Sequence, residues 1–112
     1  MVTPSDIALQ SDQVLKRAAD LFRLMSAPMR LKIISALCQS EKNVTELLAC
    51  VATTQPNMSQ HLKTLYKAGI LGKRRDGVQI YYHIANPHVT ALCRAVCSQV
   101  ATDMGAVGEV NT

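Results

Sequence analysis

The stretch Thr54-Gln-Pro-Asn-Met-Ser-Gln-His-Leu-Lys-Thr-Leu-Tyr-Lys-Ala-Gly69 constrains this chain more than any other. Thr54 is a good N-cap, because its hydroxyl can accept a hydrogen bond from a free N–H of the first helical turn. Pro56 falls in that turn, where a missing N–H costs nothing. Met58, Leu62 and Leu65 recur at helical spacing and make one apolar stripe. Gly69 suits a left-handed cap that ends the helix. Gln55, Asn57, Ser59, Gln60, Lys63 and Lys67 lie off the stripe. Amides and hydroxyls at a helix N-terminus suit base edges and phosphate oxygens, and the helix dipole favours the phosphate. An ordinary solvated face would carry more Glu and Lys pairs. Residues 53–71 therefore read as a recognition helix and its exit.

The preceding segments fit as its support. From Asp12 the pattern turns helical, with Val14, Leu15, Ala18, Ala19, Leu21, Phe22 and Met25 forming an apolar face broader than a surface helix needs. Part of that face is expected to meet a second subunit. A second helix is expected from about Pro28 to Leu37, with Leu31, Ile34 and Leu37 inward and Arg30 and Lys32 outward. Asn43-Val-Thr-Glu46 has capping-box spacing and opens a short helix to about Cys50. A short helix, a brief turn and a longer helix is the helix-turn-helix arrangement.

After Gly69 the period becomes two. Ile70 to Arg75 and Val78 to Ile84 flank Asp76-Gly77, a hairpin signal because both turn positions favour positive φ. Lys73-Arg74-Arg75 leads into the tip and makes a basic wing, although basic residues can also merely blunt a sheet edge. Asn86-Pro87 opens a last helix whose stripe is Val89, Leu92, Cys93, Val96, Cys97 and Val100. The expected organisation is a flexible N-terminus over 1–11, one domain over 12–102, and a disordered tail over 103–112. The fold class is mainly α with a β-hairpin wing.

Charge is placed to match. Between Thr53 and Tyr82, five basic residues (Lys63, Lys67, Lys73, Arg74, Arg75) face one acid, Asp76, which accounts for the whole net charge of +4. A basic patch on one helix and the ribbon after it is the electrostatic footprint of nucleic-acid binding. At 112 residues the chain buries a limited share of its surface, which favours dimerisation. No apolar run approaches the roughly 20 residues that span a bilayer, and residues 1–10 lack the regions of a signal peptide. A cytoplasmic location with no membrane partner is expected. The four cysteines, Cys38, Cys50, Cys93 and Cys97, contain no Cys-x-x-Cys pair, which weakens zinc-finger and thioredoxin readings.

The order of these elements resembles the ArsR/SmtB family of bacterial winged-helix repressors. The residues that carry the resemblance are Leu24-Met-Ser-Ala-Pro-Met-Arg30-Leu31, Gln55-Pro-Asn-Met-Ser-Gln-His-Leu62, Leu65, Ala68-Gly69-Ile70-Leu71 and Arg75-Asp-Gly-Val-Gln-Ile-Tyr-Tyr82. Together they reach across residues from about 14 to 100. The resemblance implies a winged helix-turn-helix homodimer built on the first and last helices. It implies binding to a double-stranded operator with two-fold symmetry, and release by a small inducer, without a cofactor. The two recognition helices would enter successive major grooves about 34 Å apart. Thr54, Gln55, Pro56, Asn57, Ser59, Gln60, His61, Lys63 and Lys67 would meet the major groove and its phosphates. Lys73, Arg74, Arg75 and Gln79 would hold the wing to the backbone or minor groove.

The family's inducer sites can be compared position by position. Its arsenic-type thiol cluster is matched here by Asn43-Val-Thr-Glu-Leu-Leu48, which has no thiol. Its zinc-type site is matched by Asn86-Pro-His88, Gln99 and Thr102, which keep only the imidazole of His88. Members that sense persulfides and oxidants use one cysteine in the second helix and one in the last. The matching positions here are Ser35 and a residue near Ala101, each one turn from a thiol, Cys38 and Cys97.

Cys93 and Cys97, four apart, share one helix face with Cβ atoms about 6 Å apart. A disulfide prefers about 3.8 Å, so a longer sulfane bridge or a soft ion spans the gap more easily. Cysteines also pack as small apolar residues. The leading expectation is a repressor switched by modification of Cys93, Cys97 and Cys38 by reactive sulfur. The alternative is a thiophilic ion, As(III) above Cd(II), held by Cys93, Cys97 and one further thiol. A small cysteine enzyme is a remote third reading, since it would leave the basic patch unexplained.

Overall fold

The computed structural model describes residues 11–105 and contains five helices and one two-stranded antiparallel hairpin. The helices are α1 (Asp12–Met25), α2 (Pro28–Gln39), α3 (Val44–Cys50), α4 (Gln55–Lys67) and α5 (Pro87–Asp103). The strands β1 (Leu71–Asp76) and β2 (Gln79–Ile84) lie between α4 and α5. The expected disordered ends fall largely outside the described residues. Of those stretches the structure describes Ser11 and residues 103–105. The Ser11 hydroxyl caps α1 by accepting from the Val14 amide at 3.2 Å, and Asp103 is the last residue of α5.

Local chemistry sets the helix ends. Thr54 Oγ1 accepts from the Asn57 amide at 3.3 Å, as the cap of α4. Both bonds of the capping box form at α3: Glu46 N–H donates to Asn43 Oδ1 at 2.8 Å, and Asn43 N–H donates to Glu46 Oε1 at 2.9 Å. At the far end of α4, Gly69 has φ of 78°. The Ile70 amide donates to the Leu65 carbonyl and the Gly69 amide to the Tyr66 carbonyl, a Schellman closure.

Helix α2 is the hub. It packs against α1, α3, α4, α5 and β2. For this reason Ile33 as well as Ile34 and Leu37 is buried, whereas Leu31 is only partly so. Ile33 is the addition to the expected inward set, on a helix covered on several sides. Met58, Leu62 and Leu65 of α4 are fully buried, as their spacing implied, together with Leu47, Ile70, Leu71 and Val89.

The hairpin turn differs by one residue from its sequence signal. Asp76 pairs with Gln79, so Gly77-Val78 is the loop and Asp76 belongs to β1. Only Gly77 has positive φ there, at 63°, and glycine at the first loop position is what a type II′ turn needs. A third extended segment joins the wing. Lys42, just before α3, makes an antiparallel bridge to Tyr82, with amide-to-carbonyl distances of 3.1 and 2.8 Å.

The outer faces of α1 and α5 are apolar and uncovered in a single chain. Phe22 is 56% exposed, Val96 52% and Val100 48%. Among the described residues no helix is long and apolar enough to cross a membrane.

A Cβ on Gly69 would meet nothing within 4 Å, so Gly69→Ala carries only the cost of left-handed backbone. It is expected to lower stability by about 1 kcal/mol in urea denaturation without changing the slope of the transition.

Candidate nucleic-acid interface and thiol groove

The apolar stripe of α4 is anchored in the core, and this fixes which residues face outward. Thr54, Gln55, Pro56, Asn57, Ser59, Gln60, Lys63 and Lys67 are all exposed. Gln55, Asn57 and Ser59 stand in the first turns, where free backbone N–H groups and the helix dipole favour phosphate. Thr64 donates its hydroxyl back to the Gln60 carbonyl at 3.0 Å.

His61 is placed differently from its neighbours. It is half-buried, and its Nδ1 accepts from Arg30 Nε at 3.3 Å. Arg30 also donates from Nη1 to the Leu24 carbonyl at 3.0 Å. Arg30 is therefore not outward, as its helix position suggested. It is a half-buried tie between the end of α1 and the recognition helix.

The wing carries its cations on two faces, because side chains alternate along a strand. Lys73 and Arg75 pair across the ribbon with Tyr82 and Ile80, and Arg74 pairs with Tyr81 on the opposite face. Lys73 Nζ lies 4.3 Å from the Tyr66 ring centroid, which links the wing to α4 by a cation–π contact. Arg75 Nε donates to the Gly77 carbonyl at 3.1 Å. Gln79 Oε1 accepts from Asn43 Nδ2 at 3.3 Å. Arg74 Nε donates to both carboxylate oxygens of Glu41 at 2.9 Å, and its Nη2 also reaches Glu41. Hydrogen bonding from Arg74 holds the Glu41 carboxyl below its ordinary range, against an opposing effect of burial and with a lesser contribution from the Arg74 charge.

The thiols are brought together by the packing of α5 on α2. Cys38 of α2 and Cys93 and Cys97 of α5 line one groove of about 330 Å³, with Ser35, Thr90 and Arg94 among its other walls. Cys93 is partly buried, while Cys38 and Cys97 are exposed. Burial pushes the Cys93 thiol up from its ordinary pKa, and charge on Cys97 and then Cys38 would push it the same way. Thr90 Oγ1, on a wall of this groove, is buried with no hydrogen-bond partner. Cys93 and Cys97 also border a smaller apolar pocket of about 140 Å³ against Phe22 and Met25 of α1. Cys50 opens onto a different groove, beside Lys32 and Val51. His88 is exposed at the start of α5. Among the described residues no three His, Cys, Asp or Glu side chains are disposed to hold a metal ion.

Two side chains to which the sequence assigned no role have places here: Glu41 and Thr90. Glu41 and Arg74 are 33 residues apart, and neither carries a local pattern that announces the pair.

Comparison with known proteins agrees with the geometry. The profile of the bacterial regulatory protein, arsR family, matches residues 27–73. The HTH-type transcriptional regulator Rv0081 of Mycobacterium tuberculosis is 34% identical over 105 residues, spanning 90% of this chain and 92% of the relative. Its crystal structure superposes with a TM-score of 0.72, covering 86% of this chain and all of that one at 34% identity. The transcriptional repressor BigR of Xylella fastidiosa gives a TM-score of 0.76 at 29% identity, over 87% of this chain and 95% of that one. A homodimeric winged helix-turn-helix DNA-binding domain of Mycobacterium bovis, Mb0332, gives 0.69 at 30% identity, over 84% and 88%. With a helix-turn-helix, a wing and relatives that align over nearly its whole length, the chain belongs to the ArsR family of bacterial regulatory proteins, as a DNA-binding transcriptional repressor of the ArsR/SmtB type and not an enzyme.

Proposed function

We propose that this repressor acts as a homodimer and leaves its operator when reactive sulfur modifies the thiols between α2 and α5. The observation that carries the reading is the convergence of Cys38, Cys93 and Cys97 on one groove from two helices. The uncovered apolar faces of α1 and α5 border the same region and suit a second copy, as the homodimeric relative suggests. A bridge across the groove would alter the packing of α5 on α2, and with it the spacing of the two recognition helices.

The chemistry follows from access. Cys97 and Cys38 are exposed, so either can supply the first nucleophile, while burial raises the Cys93 thiol and makes it slower to react. A first thiolate attacks an inner sulfur of an organic tetrasulfide and displaces a persulfide anion. A second thiolate of the groove attacks that same sulfur and displaces the remaining thiolate. One sulfane sulfur then bridges two cysteines, which are oxidised as the tetrasulfide is reduced. For Cys93 and Cys97 this bridge fits the helical spacing better than a direct disulfide. A thiophilic ion is the weaker reading, since the described residues include no ready set of three ligands.

On DNA, Gln55, Asn57, Ser59, Gln60 and Lys63 would face the major groove, flanked by Thr54, Pro56 and Lys67. Lys73 and Arg75 would face the backbone. His61 would act mainly through its bond to Arg30, and Gln79 through its bond to Asn43.

Arg75→Ala is expected to lower the slope of log affinity against log salt by about one unit. The assay uses a duplex selected by the wild-type protein from a random-sequence library. With iodoacetamide at neutral pH, Cys97 and Cys38 are expected to label before Cys93, as followed by peptide mass spectrometry. Treatment of the reduced protein with an organic tetrasulfide is expected to add one sulfur and remove two hydrogens per bridged pair, with loss of binding to the selected duplex. An unmodified mass with full DNA binding would contradict the thiol switch.

A further inference from the structure

The turn that closes α2 is attached to the wing at three points. Lys42 exchanges both backbone hydrogen bonds with Tyr82, Asn43 donates to Gln79, and Glu41 accepts from Arg74 through both carboxylate oxygens. The Arg74 guanidinium also lies 4.8 Å from the Tyr81 ring centroid, so it is held on its flat face as well as along its edge. An exposed ion pair alone contributes little, because two long side chains must be ordered to make it. Here the backbone bridge at the neighbouring residue has already placed Glu41. The planar fork of arginine matches a carboxylate at little further ordering cost.

The face of the ribbon matters equally. Arg74 lies on the side of the wing opposite Lys73 and Arg75, the side that meets the α2–α3 turn. The same turn follows the end of α2 directly, and Cys38 and Gln39 at that end line the thiol groove.

We infer that Glu41 is a positioning residue for the wing: it holds Arg74 as the wing's anchor, leaves Lys73 and Arg75 to meet the DNA backbone, and ties the wing to the end of the helix that carries Cys38. Arg74 is then a structural cation and not a phosphate contact, although it sits in the most basic run of the sequence. The inference does not depend on which inducer acts.

The two roles for Arg74 predict opposite effects of neutralising Glu41. If Glu41 anchors the wing, losing its charge weakens DNA binding. If Glu41 merely competes with phosphate for Arg74, losing its charge strengthens binding. Affinity for the selected duplex would be measured for Glu41→Gln, Arg74→Ala, the double variant, and the charge-swapped pair Glu41→Arg with Arg74→Glu. Thermal melts followed by circular dichroism would accompany each. Glu41→Gln and Arg74→Ala are each expected to weaken binding roughly two- to five-fold. The double variant should be no weaker than either single one. The swap should bind more tightly than either single variant, which a loss of fold could not do, while falling short of wild type because Arg74→Glu gives up the Tyr81 ring and faces Asp76, 3.9 Å from Arg74. Unchanged or tighter binding by Glu41→Gln overturns the inference. So does a swapped protein that stays as weak as the single variants.

Discussion

The burial of α2 is the interaction on which the rest depends. Ile33, Ile34 and Leu37 are removed from water together, and this is possible only because α1, α3, α4, α5 and β2 all lie against that one helix. Each such side chain contributes on the order of 2 kcal/mol of transfer free energy, so the elements that cover them are held in one arrangement. Both working surfaces inherit that arrangement. α4 is fixed by Met58, Leu62 and Leu65, which leaves its polar face outward. α5 is fixed at its start by Val89, while its later turns remain exposed.

That asymmetry in α5 bears on regulation. A helix clamped at one end and uncovered beyond can shift without dismantling the core. Cys93 and Cys97 lie on that less buried stretch, opposite Cys38 near the end of α2. The wing is tied to the turn that follows that same end of α2, through Glu41, Lys42 and Asn43. One helix therefore stands between the groove that would receive the signal and the ribbon that would meet the DNA.

What was legible in the sequence was local. The Thr54 cap, the Asn43–Glu46 box and the Gly69 closure each involve residues within about five positions, and residue type there states the backbone geometry. The core face of α4 was legible for the same reason. The hairpin slipped by one residue because Asp76-Gly77 and Gly77-Val78 both place glycine at a usable turn position, and the pairing of Asp76 with Gln79 decided between them. The ties between distant segments had no signature. Arg30 reaches His61 across 31 residues, and both are polar residues that a periodicity argument assigns to solvent. The thiol groove was half legible: the spacing of Cys93 and Cys97 could be read directly, but the arrival of Cys38 beside them required the packing of α5 on α2.

The most direct test of coupling through α2 is hydrogen exchange at the Lys42 and Tyr82 amides, which close the bridge between the turn and the wing. It would be measured on the fully reduced protein and on protein whose groove thiols have been bridged by an organic tetrasulfide. Faster exchange at these two amides after bridging, with the core amides of α4 unchanged, is the expected result. Equal protection in the two forms, with the thiols fully modified, would contradict a path from the groove to the wing through α2.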